Sequence, residues 1–342
     1  MLHSKKWILS TLLAILITIS SIIGFNFFMD PLWTFNNEHK FNQYQKGGRE
    51  RQQKSDALYF RNHKYDTLIF GSSRTAFLNQ HKFNDSTFNY SSSDMQPNEY
   101  IHYLDFAINK AKQPIKTVYI GLDFFGALSY QPTASTKYKS ILEEIEKPFY
   151  RYKLLSSLDT IDYATKNFKY YFKKSYMKYT YNYVKTSRPI AKHTLQDYNK
   201  AIQGDIDLFT RDRYKYPYDE SYKDIIFKLV SKYKNIKFIA YTTPVSEKHF
   251  KNIIHNDLYE TYEKWLQDSV SVFGEVSHFM YVNEMATNAH LYFMDSHHGY
   301  AETYECITSD LLKRQSRCPK IMMLINKNNL DEKLTLLEDL NH

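Results

Sequence analysis

Short apolar runs alternate with stretches of helical spacing along most of this chain. Runs that end in small or polar residues predict buried strands at 67–70, 88–90, 117–123, 236–241 and 278–282. Apolar residues three and four positions apart predict helices at about 51–60, 97–112, 221–233, 249–273 and 301–312, and another from about residue 75. Strands that alternate with helices indicate βαβ units, so we expect an α/β fold with helices on both faces of a central parallel sheet.

The middle of the chain differs in character from the segments around it. Residues 127–225 are rich in Tyr and Lys, and helical spacing recurs there at 138–145, 154–172 and 197–208. We interpret this stretch as a mainly helical insertion in the α/β domain. The tail, 319–342, predicts one further amphipathic helix.

A long apolar segment near the amino terminus predicts a membrane anchor. The 22 residues from Trp7 to Phe28 carry no charge, and at about 1.5 Å per residue they span a hydrocarbon core of roughly 30 Å. Lys5 and Lys6 precede the segment, so we expect the amino terminus in the cytoplasm and the chain beyond about residue 30 outside it. A cleaved signal peptide is the alternative, although the run is long for one and no small-x-small cleavage site follows it.

These patterns divide the chain into five segments. We expect a cytoplasmic tail at 1–6, a transmembrane anchor at 7–28, a stalk with a short helix at 29–65, an extracytoplasmic domain at 66–318 that contains the 127–225 insertion, and a helical tail at 319–342.

Charge and cysteine content add little to this picture. The formal net charge is +8, but Lys and Arg are interleaved with acids along the chain, which disfavours nucleic acid as a partner. An acidic glycan or an anionic membrane surface would suit a basic face better, and a solvated surface explains the charge equally well. Cys306 and Cys318 lie 12 positions apart, and the sequence leaves open whether they form a disulfide.

The candidate chemistry begins where the first predicted strand ends, at Gly71-Ser72-Ser73-Arg74. In open α/β sheets, ligands bind at the carboxyl ends of the strands. A serine hydroxyl becomes a nucleophile when an imidazole takes its proton, and the imidazole needs a carboxylate to orient it. Asp295 and His298 are three residues apart before a predicted helix, so the carboxylate can reach the ring.

Other interpretations of these residues stay open at this point. Ser73 is also suited to cap a following helix, and Ser72 is an alternative nucleophile. Asp295, His297 and His298 have the side chains of metal ligands, although the sequence shows no further cluster of His and Asp nearby.

The order of these motifs resembles the SGNH (GDSL-like) hydrolase superfamily. The matching residues are Gly71-Ser72-Ser73 after the first strand, Asn89 after the second, Gly121-Leu122-Asp123 after the third, and Asp295-x-x-His298 near the end. More narrowly, the chain is similar to the membrane-anchored, exported members: alginate O-acetylation proteins, D-alanyl-lipoteichoic acid transfer proteins and proteins of exopolysaccharide loci. Arg51 and Lys54 match an Arg-x-x-Lys element of the last group, and the resemblance covers about 45–125 and 235–312.

The resemblance implies a three-layer, flavodoxin-like SGNH sandwich, with Ser73 as nucleophile, His298 as base and Asp295 as the residue that orients the base. It also implies that the backbone N–H groups of Ser73 and Ser91 hold the oxyanion.

The third family motif usually supplies an Asn side chain as an oxyanion donor, and this chain has Asp123 there. An ionised Asp123 would repel an oxyanion, so we expect it to be protonated or paired with Arg74, or the oxyanion hole to be built differently. Arg74 could instead bind an anionic group of the substrate. The resemblance implies no cofactor and no metal.

The expected function is that of an exported acyltransferase or esterase. It would act on O-acyl groups, acetyl above all, of a cell-surface or secreted polysaccharide, through an acyl-serine. The sequence does not separate transfer to a sugar hydroxyl from transfer to water. The alternative is an inactive SGNH-like scaffold that binds glycan. We expect the main domain to be periplasmic or extracellular, anchored in the bacterial cytoplasmic membrane, with other envelope biosynthesis proteins as partners and no nucleic acid.

Overall fold

The computed structural model describes residues 2–45, 47–172, 177–180, 185–187 and 194–341. Its strands are β1 (Tyr44–Gln45), β2 (Thr67–Phe70), β3 (Thr87–Asn89), β4 (Thr117–Leu122), β5 (Met177–Thr180), β6 (Lys185–Ser187), β7 (Lys237–Thr242), β8 (Glu275–His278) and β9 (Met323–Asn326). Six of them form the central sheet, in the order β3-β2-β4-β7-β8-β9. The first five strands of this order run parallel, and β9 is antiparallel to β8. Strands β1, β5 and β6 form a separate antiparallel sheet.

Helices connect the strands and cover the sheet. They are α1 (Leu2–Met29), α2 (Glu50–Phe60), α3 (Pro97–Lys110), α4 (Tyr138–Ile145), α5 (Tyr150–Leu155), α6 (Leu158–Phe172), α7 (Leu195–Phe209), α8 (Tyr222–Lys232), α9 (Glu247–His255), α10 (Tyr259–Phe273), α11 (Glu284–Thr287), α12 (Ala289–Tyr292), α13 (Ala301–Leu311) and α14 (Leu330–Asn341). The expected α/β class with a central parallel sheet is confirmed, with one antiparallel edge strand.

The sheet is buried on both faces. Successive side chains of a strand point to opposite faces, and in β2 the buried Leu68 and Phe70 join one apolar cluster while the buried Ile69 joins another. The first cluster contains Trp265 of α10, and the second contains Ile307 of α13. Helices therefore cover both faces, which explains why the strands are short, continuous apolar runs.

Two glycines bring the sheet edge close to the turn that follows β2. Strands β2 and β4 pair in register, with Phe70 opposite Ile120, so Gly71 and Gly121 follow at the same level. A Cβ atom at either glycine would overlap the Thr75 side chain. Gly71 also has φ +152°, a conformation that side chains disfavour. The two glycines therefore let Thr75 fold back onto the sheet, and this positions the intervening serines at its carboxyl edge.

Most predicted elements agree with the structure to within two or three residues, and three predictions outside the insertion and the tail are wrong. The last parallel strand is β8 and not 278–282. The helix predicted over 249–273 is broken between α9 and α10, where Asp257 adopts a positive φ of 56°. The segment from Thr75 forms only a single 3₁₀ turn, Thr75–Phe77, because Leu78 turns back to an extended conformation.

The insertion and the tail each contain strands that the helical spacing did not predict. Within 127–225 the structure shows α4, α7 and the start of α8 as expected. The single helix predicted at 154–172 is divided into α5 and α6, and β5 and β6 were not predicted. Parts of this stretch, 173–176, 181–184 and 188–193, lie outside the described residues. The tail first supplies the edge strand β9 and only then forms α14. The helix predicted in the tail is therefore present as α14, and the strand before it was not predicted.

Two further features bear on location and stability. Cys306 of α13 is disulfide-bonded to Cys318, with their Cα atoms 5.6 Å apart. In α1, residues Ser4–Met29 are long enough to cross a membrane, and an 18-residue window within them has a mean hydropathy of 2.4. This supports the predicted apolar helix, although an amino-terminal signal sequence also contains an apolar helix.

Candidate active site

Ser73, His298 and Asp295 form a continuous chain of hydrogen bonds. Ser73 Oγ lies 2.8 Å from His298 Nε2, and His298 Nδ1 lies 2.7 Å from Asp295 Oδ2. The serine comes from the turn after β2, and the other two residues come from the loop before α13. This is the arrangement that a hydroxyl nucleophile, its base and the orienting carboxylate require. All three are only partly buried, so the serine is reachable from outside.

The loop that carries Asp295 and His298 is held by its own carboxylate. Asp295 Oδ1 accepts the backbone N–H groups of His297, at 2.9 Å, and of His298, at 2.6 Å. Burial raises the pKa of Asp295, but the neighbouring His298 and His297 and their hydrogen bonds lower it by more, so this pKa lies well below its ordinary value. Asp295 is therefore ionised at neutral pH and can stabilise a protonated His298.

Helix α7 of the insertion packs against the same loop. The Asp205 carboxylate accepts hydrogen bonds from the hydroxyl and the backbone N–H of Ser296, the latter at 3.2 Å, and lies 3.0 Å from His297 Nδ1. Tyr198 donates its hydroxyl proton to the Asp295 carbonyl oxygen at 3.1 Å. The insertion therefore braces the loop that carries His298.

A buried histidine completes this support. His249 lies with Nδ1 2.7 Å from Ser296 Oγ and with Nε2 2.6 Å from the Tyr214 hydroxyl. Burial, followed by the charge of Arg74, keeps the pKa of His249 well below its ordinary value, so the ring is neutral. Sequence reasoning missed both Asp205 and His249, since neither belongs to a motif and only the folded chain brings them to the loop.

Two groups of side chains in the described residues have donor atoms close enough to hold a metal ion. They are Asp205, His249 and His297, and Asp295, His297 and His298, with donor atoms within 4.8 Å of one another. In the second group both ring nitrogens of His298 are engaged, by Ser73 and by Asp295. In the first, both ring nitrogens of His249 are engaged as well. These contacts favour hydrogen-bonded networks over metal ligation.

Arg74 and Asp123 form a buried ion pair beside the candidate nucleophile. Arg74 Nη1 lies 3.3 Å from Asp123 Oδ1, which also accepts a hydrogen bond from the Thr243 hydroxyl. The guanidinium lies 5.4 Å from the centre of the Phe125 ring. Of the three expectations for Asp123, the structure shows pairing with Arg74. The same contact shows what the Arg74 side chain does. It is 1% exposed, and it pairs with Asp123 instead of projecting into solvent.

The expected oxyanion donors are differently placed. The Ser91 N–H donates to Asn89 Oδ1 at 3.1 Å, and the Asn89 amide donates to the carbonyl oxygens of Thr75 and Leu78. Both residues therefore brace the loop after β3, and the Ser91 N–H expected to bind the oxyanion is engaged within the protein. Among the described residues, no protein acceptor takes the backbone N–H of Ser73. The Ser73 N–H is thus the expected donor that stays available.

Helix α2 holds the loop after β3 from the other side. Lys54 is completely buried and donates to the Ser91 carbonyl oxygen at 2.6 Å. Arg51 donates to the Ser93 carbonyl oxygen at 2.8 Å and forms a two-pronged ion pair with the buried Glu99, at 2.7 and 2.8 Å. The Arg-x-x-Lys spacing places both cations on the face of α2 that meets this loop.

Comparisons with known proteins find structural likenesses only. No protein family matches the sequence, and no curated protein matches it significantly. A solved structure from Streptococcus pneumonia, described provisionally as a platelet activating factor, aligns with 78% of this chain and 90% of its own. The two sequences are 10% identical, and the TM-score is 0.39. A likeness this weak carries no argument about function.

Proposed function

We propose that the protein is a membrane-anchored serine esterase or acyltransferase. The observation that carries this proposal is the continuous hydrogen-bond chain from Ser73 through His298 to Asp295, with distances of 2.8 and 2.7 Å. A serine beside a neutral imidazole is activated for attack on an acyl carbon, and an ionised carboxylate stabilises the imidazolium that forms.

The reaction proceeds in two halves. Ser73 Oγ attacks the carbonyl carbon of an O-acyl ester, and His298 takes the hydroxyl proton. The Ser73 N–H donates to the developing oxyanion. The C–O bond to the alcohol breaks, His298 returns its proton to that oxygen, and an acyl-serine is left. In the second half, His298 deprotonates the acceptor, either water or a sugar hydroxyl. That oxygen attacks the acyl carbon, the bond between the acyl carbon and Ser73 Oγ breaks, and His298 returns the proton to Ser73 Oγ.

We propose an extracytoplasmic position for this site, with α1 as an uncleaved anchor. Lys5 and Lys6 precede the apolar segment, which favours a cytoplasmic amino terminus. The carboxyl end of α1 is also built into the domain, since Asn26 and Met29 are at most 1% exposed. Cleavage beyond α1 would remove these packed residues, so their burial supports an anchor that is retained.

We propose as substrate the O-acyl groups, acetyl above all, of a cell-surface or secreted polysaccharide. This part rests on the sequence resemblance and on the extracytoplasmic position. Water and sugar hydroxyls are both present there, so the acceptor depends on whether the occupied site excludes water.

Hydrolysis of p-nitrophenyl acetate by the full-length protein in detergent tests the chemistry. We expect turnover that Ser73→Ala and His298→Ala each abolish. Release of acetate from an O-acetylated polysaccharide, or its transfer to a deacetylated one, then tests the substrate. Hydrolysis that both substitutions leave unchanged would contradict the proposal.

The second candidate function is a glycan-binding scaffold without catalysis. Two observations favour it: the carboxylate of Asp123 stands where a donor is expected, and the Ser91 N–H is engaged by Asn89. A scaffold would bind polysaccharide equally well with Ser73 or Ala at position 73, and it would show no turnover. Binding measured beside turnover separates the two candidates.

A further inference from the structure

The carboxyl end of α1 packs against helices α5 and α6 of the insertion. The Asn26 side chain donates to the carbonyl oxygen of Leu155 at 2.8 Å, and the Phe25 ring lies 6.1 Å from the Phe168 ring in an edge-on arrangement. These contacts fix where α5 and α6 lie relative to the end of the anchor.

The anchor's length then sets the depth of these helices. The 22 uncharged residues from Trp7 to Phe28 span about 33 Å, which is close to the roughly 30 Å of a hydrocarbon core. Phe25 and Asn26 belong to the last turn of this span. Because α5 and α6 touch that turn directly, they lie at the level of the lipid headgroups and not in the solvent above them.

The surface that α5 and α6 present there is unusually apolar. Leu158 is 73% exposed and Phe172 is 67% exposed. Leu158 follows the Leu155–Ser157 carbonyl groups that Asn26 binds, and Phe172 contacts Phe168. We call the exposed residues Tyr152, Leu158, Tyr171 and Phe172 the α5–α6 patch.

Aromatic and basic residues surround this patch. Tyr152 contacts Phe35, which packs on Phe27 of the anchor. Lys153 and Lys169 are exposed nearby, and neither takes part in the ion pairs found among the described residues. Aromatic side chains favour the membrane–water interface, and Lys favours anionic headgroups. The two exposed acids of α6 are paired, Asp159 with Arg49 and Asp162 with Lys166.

From these contacts we propose that the α5–α6 patch inserts into the outer interface of the membrane and holds the domain against the bilayer. The occupant of the patch is lipid, at the depth of about 5–10 Å that interfacial helices reach. The insertion then has two roles, since α7 braces the loop with His298 while α5 and α6 fix the domain's orientation on the membrane. The proposal rests on the proposed anchor.

Depth-dependent quenching in the full-length protein tests this proposal. The two native cysteines are bonded to each other, so a single introduced cysteine can be labelled with a fluorophore under non-reducing conditions. We would label Leu158→Cys and Phe172→Cys in bilayers that contain nitroxide lipids quenching at shallow depth. Both side chains are exposed, so the substitutions leave the core intact.

Two further positions serve as controls. Phe227 of α8 is also an exposed aromatic residue, at 58%, but its helix packs on α3 and α10, whereas α5 and α6 pack on α1. Leu13 lies in the middle of α1, and Leu13→Cys with nitroxides at the bilayer centre reports whether the anchor spans the membrane.

The expected result is loss of roughly half or more of the emission at positions 158 and 172, because shallow nitroxides lie at the interfacial depth, with no loss for Phe227→Cys. Unquenched labels at 158 and 172, with Leu13→Cys quenched, would overturn the proposal that the patch inserts into the membrane, while the proposed anchor would still hold. Such a result would mean that a second copy of this chain or another protein, and not lipid, covers the α5–α6 patch. An unquenched Leu13→Cys would overturn the anchor and the patch together, without touching the esterase proposal.

Discussion

Arg74 and Asp123 are paired at 3.3 Å with both side chains buried, directly beside the candidate nucleophile. Removing one partner of a buried pair leaves an uncompensated charge, which typically costs about 3–5 kcal/mol. We expect Arg74→Gln and Asp123→Asn each to destabilise the protein strongly. The double variant should be destabilised by less than the sum of the two, because the partners act through each other.

This coupling between Arg74 and Asp123 can be measured from thermal unfolding in detergent, followed by circular dichroism, of the wild type, the two single variants and the double variant. Arg211 and Asp212 form a matched control pair on the surface, and Arg211→Gln should change the unfolding temperature little. Additive effects of Arg74→Gln and Asp123→Asn would show that the two side chains do not interact.

Asp295→Asn should lower kcat/KM for p-nitrophenyl acetate by about 10⁴-fold, because an amide cannot stabilise the imidazolium or keep the base in the right tautomer. In the wild type, kcat/KM should fall towards acid pH, because a protonated His298 cannot accept the serine proton. The ionisation of Asp295 should cause no change in kcat/KM near neutral pH, because the pKa of this carboxyl lies well below its ordinary value.

Steady-state rates between pH 5 and 8 check both statements. Rates that are equal in the wild type and in Asp295→Asn across this range would exclude Asp295 as the residue that orients His298.

Asp205 contacts the loop that carries His298, so we expect its substitution to lower the rate by less than the substitution of Asp295 does. Asp205→Asn weakens the contacts to Ser296 and His297, and small misplacements of a catalytic group can cost up to about 100-fold in rate. The loss should appear in kcat and leave KM nearly unchanged. Asp207→Asn, an exposed residue of the same helix, is the control, and an equal loss in both variants would refute a positioning role.

The pH dependence of protein stability gives a second test of the Asp205 contacts. Burial raises the pKa of Asp205, but the hydrogen bond and charge of His297 lower it by more, so the folded pKa is below the unfolded one. The resulting stabilisation is present above the unfolded pKa of about 3.9 and is lost as the pH falls through the lower folded value. Between pH 6 and pH 3, the unfolding temperature of Asp205→Asn should therefore decrease by less than that of Asp207→Asn.

The bond between Cys306 and Cys318 closes a short loop between α13 and β9. A loop of this size stabilises the folded chain by about 3 kcal/mol in the chain-entropy model. Dithiothreitol should therefore lower the unfolding temperature of the wild type by several degrees. It should have no effect on the Cys306→Ala/Cys318→Ala variant, and an equal shift in both proteins would exclude the disulfide as the cause.

The sequence predicted β2, β4 and β7 well because each is a short apolar run followed by a small or polar residue. Strand β8 was misplaced because its four residues include only one apolar side chain, Val276. The sequence also placed Ser73 at the carboxyl edge, since Gly71 and the serines follow β2 directly. The Asp295-x-x-His298 spacing was readable because both residues lie in one loop. The geometry that joins this loop to Ser73 comes from the folded chain alone.

The parts that sequence reasoning missed depend on contacts between distant segments. Asp205 and His249 carry no motif, and nothing before folding indicates that both reach Ser296. Strand β9 was overlooked because its four residues precede a helix of clear amphipathic spacing. The use of Asn89 as a brace for Ser91 likewise follows from the tight turn after β3, which local pattern does not reveal.

Covalent labelling tests the central claim, that Ser73 is an activated nucleophile. The full-length protein is treated with a fluorophosphonate probe, and the modified residue is identified by mass spectrometry. Ser72→Ala is the matched control, since Ser72 is fully buried and its hydroxyl accepts the Arg74 N–H. We expect labelling of Ser73 in the wild type and in Ser72→Ala, and none in Ser73→Ala or His298→Ala. Labelling that persists in Ser73→Ala, or no labelling of the wild type, would contradict the claim that Ser73 is an activated nucleophile.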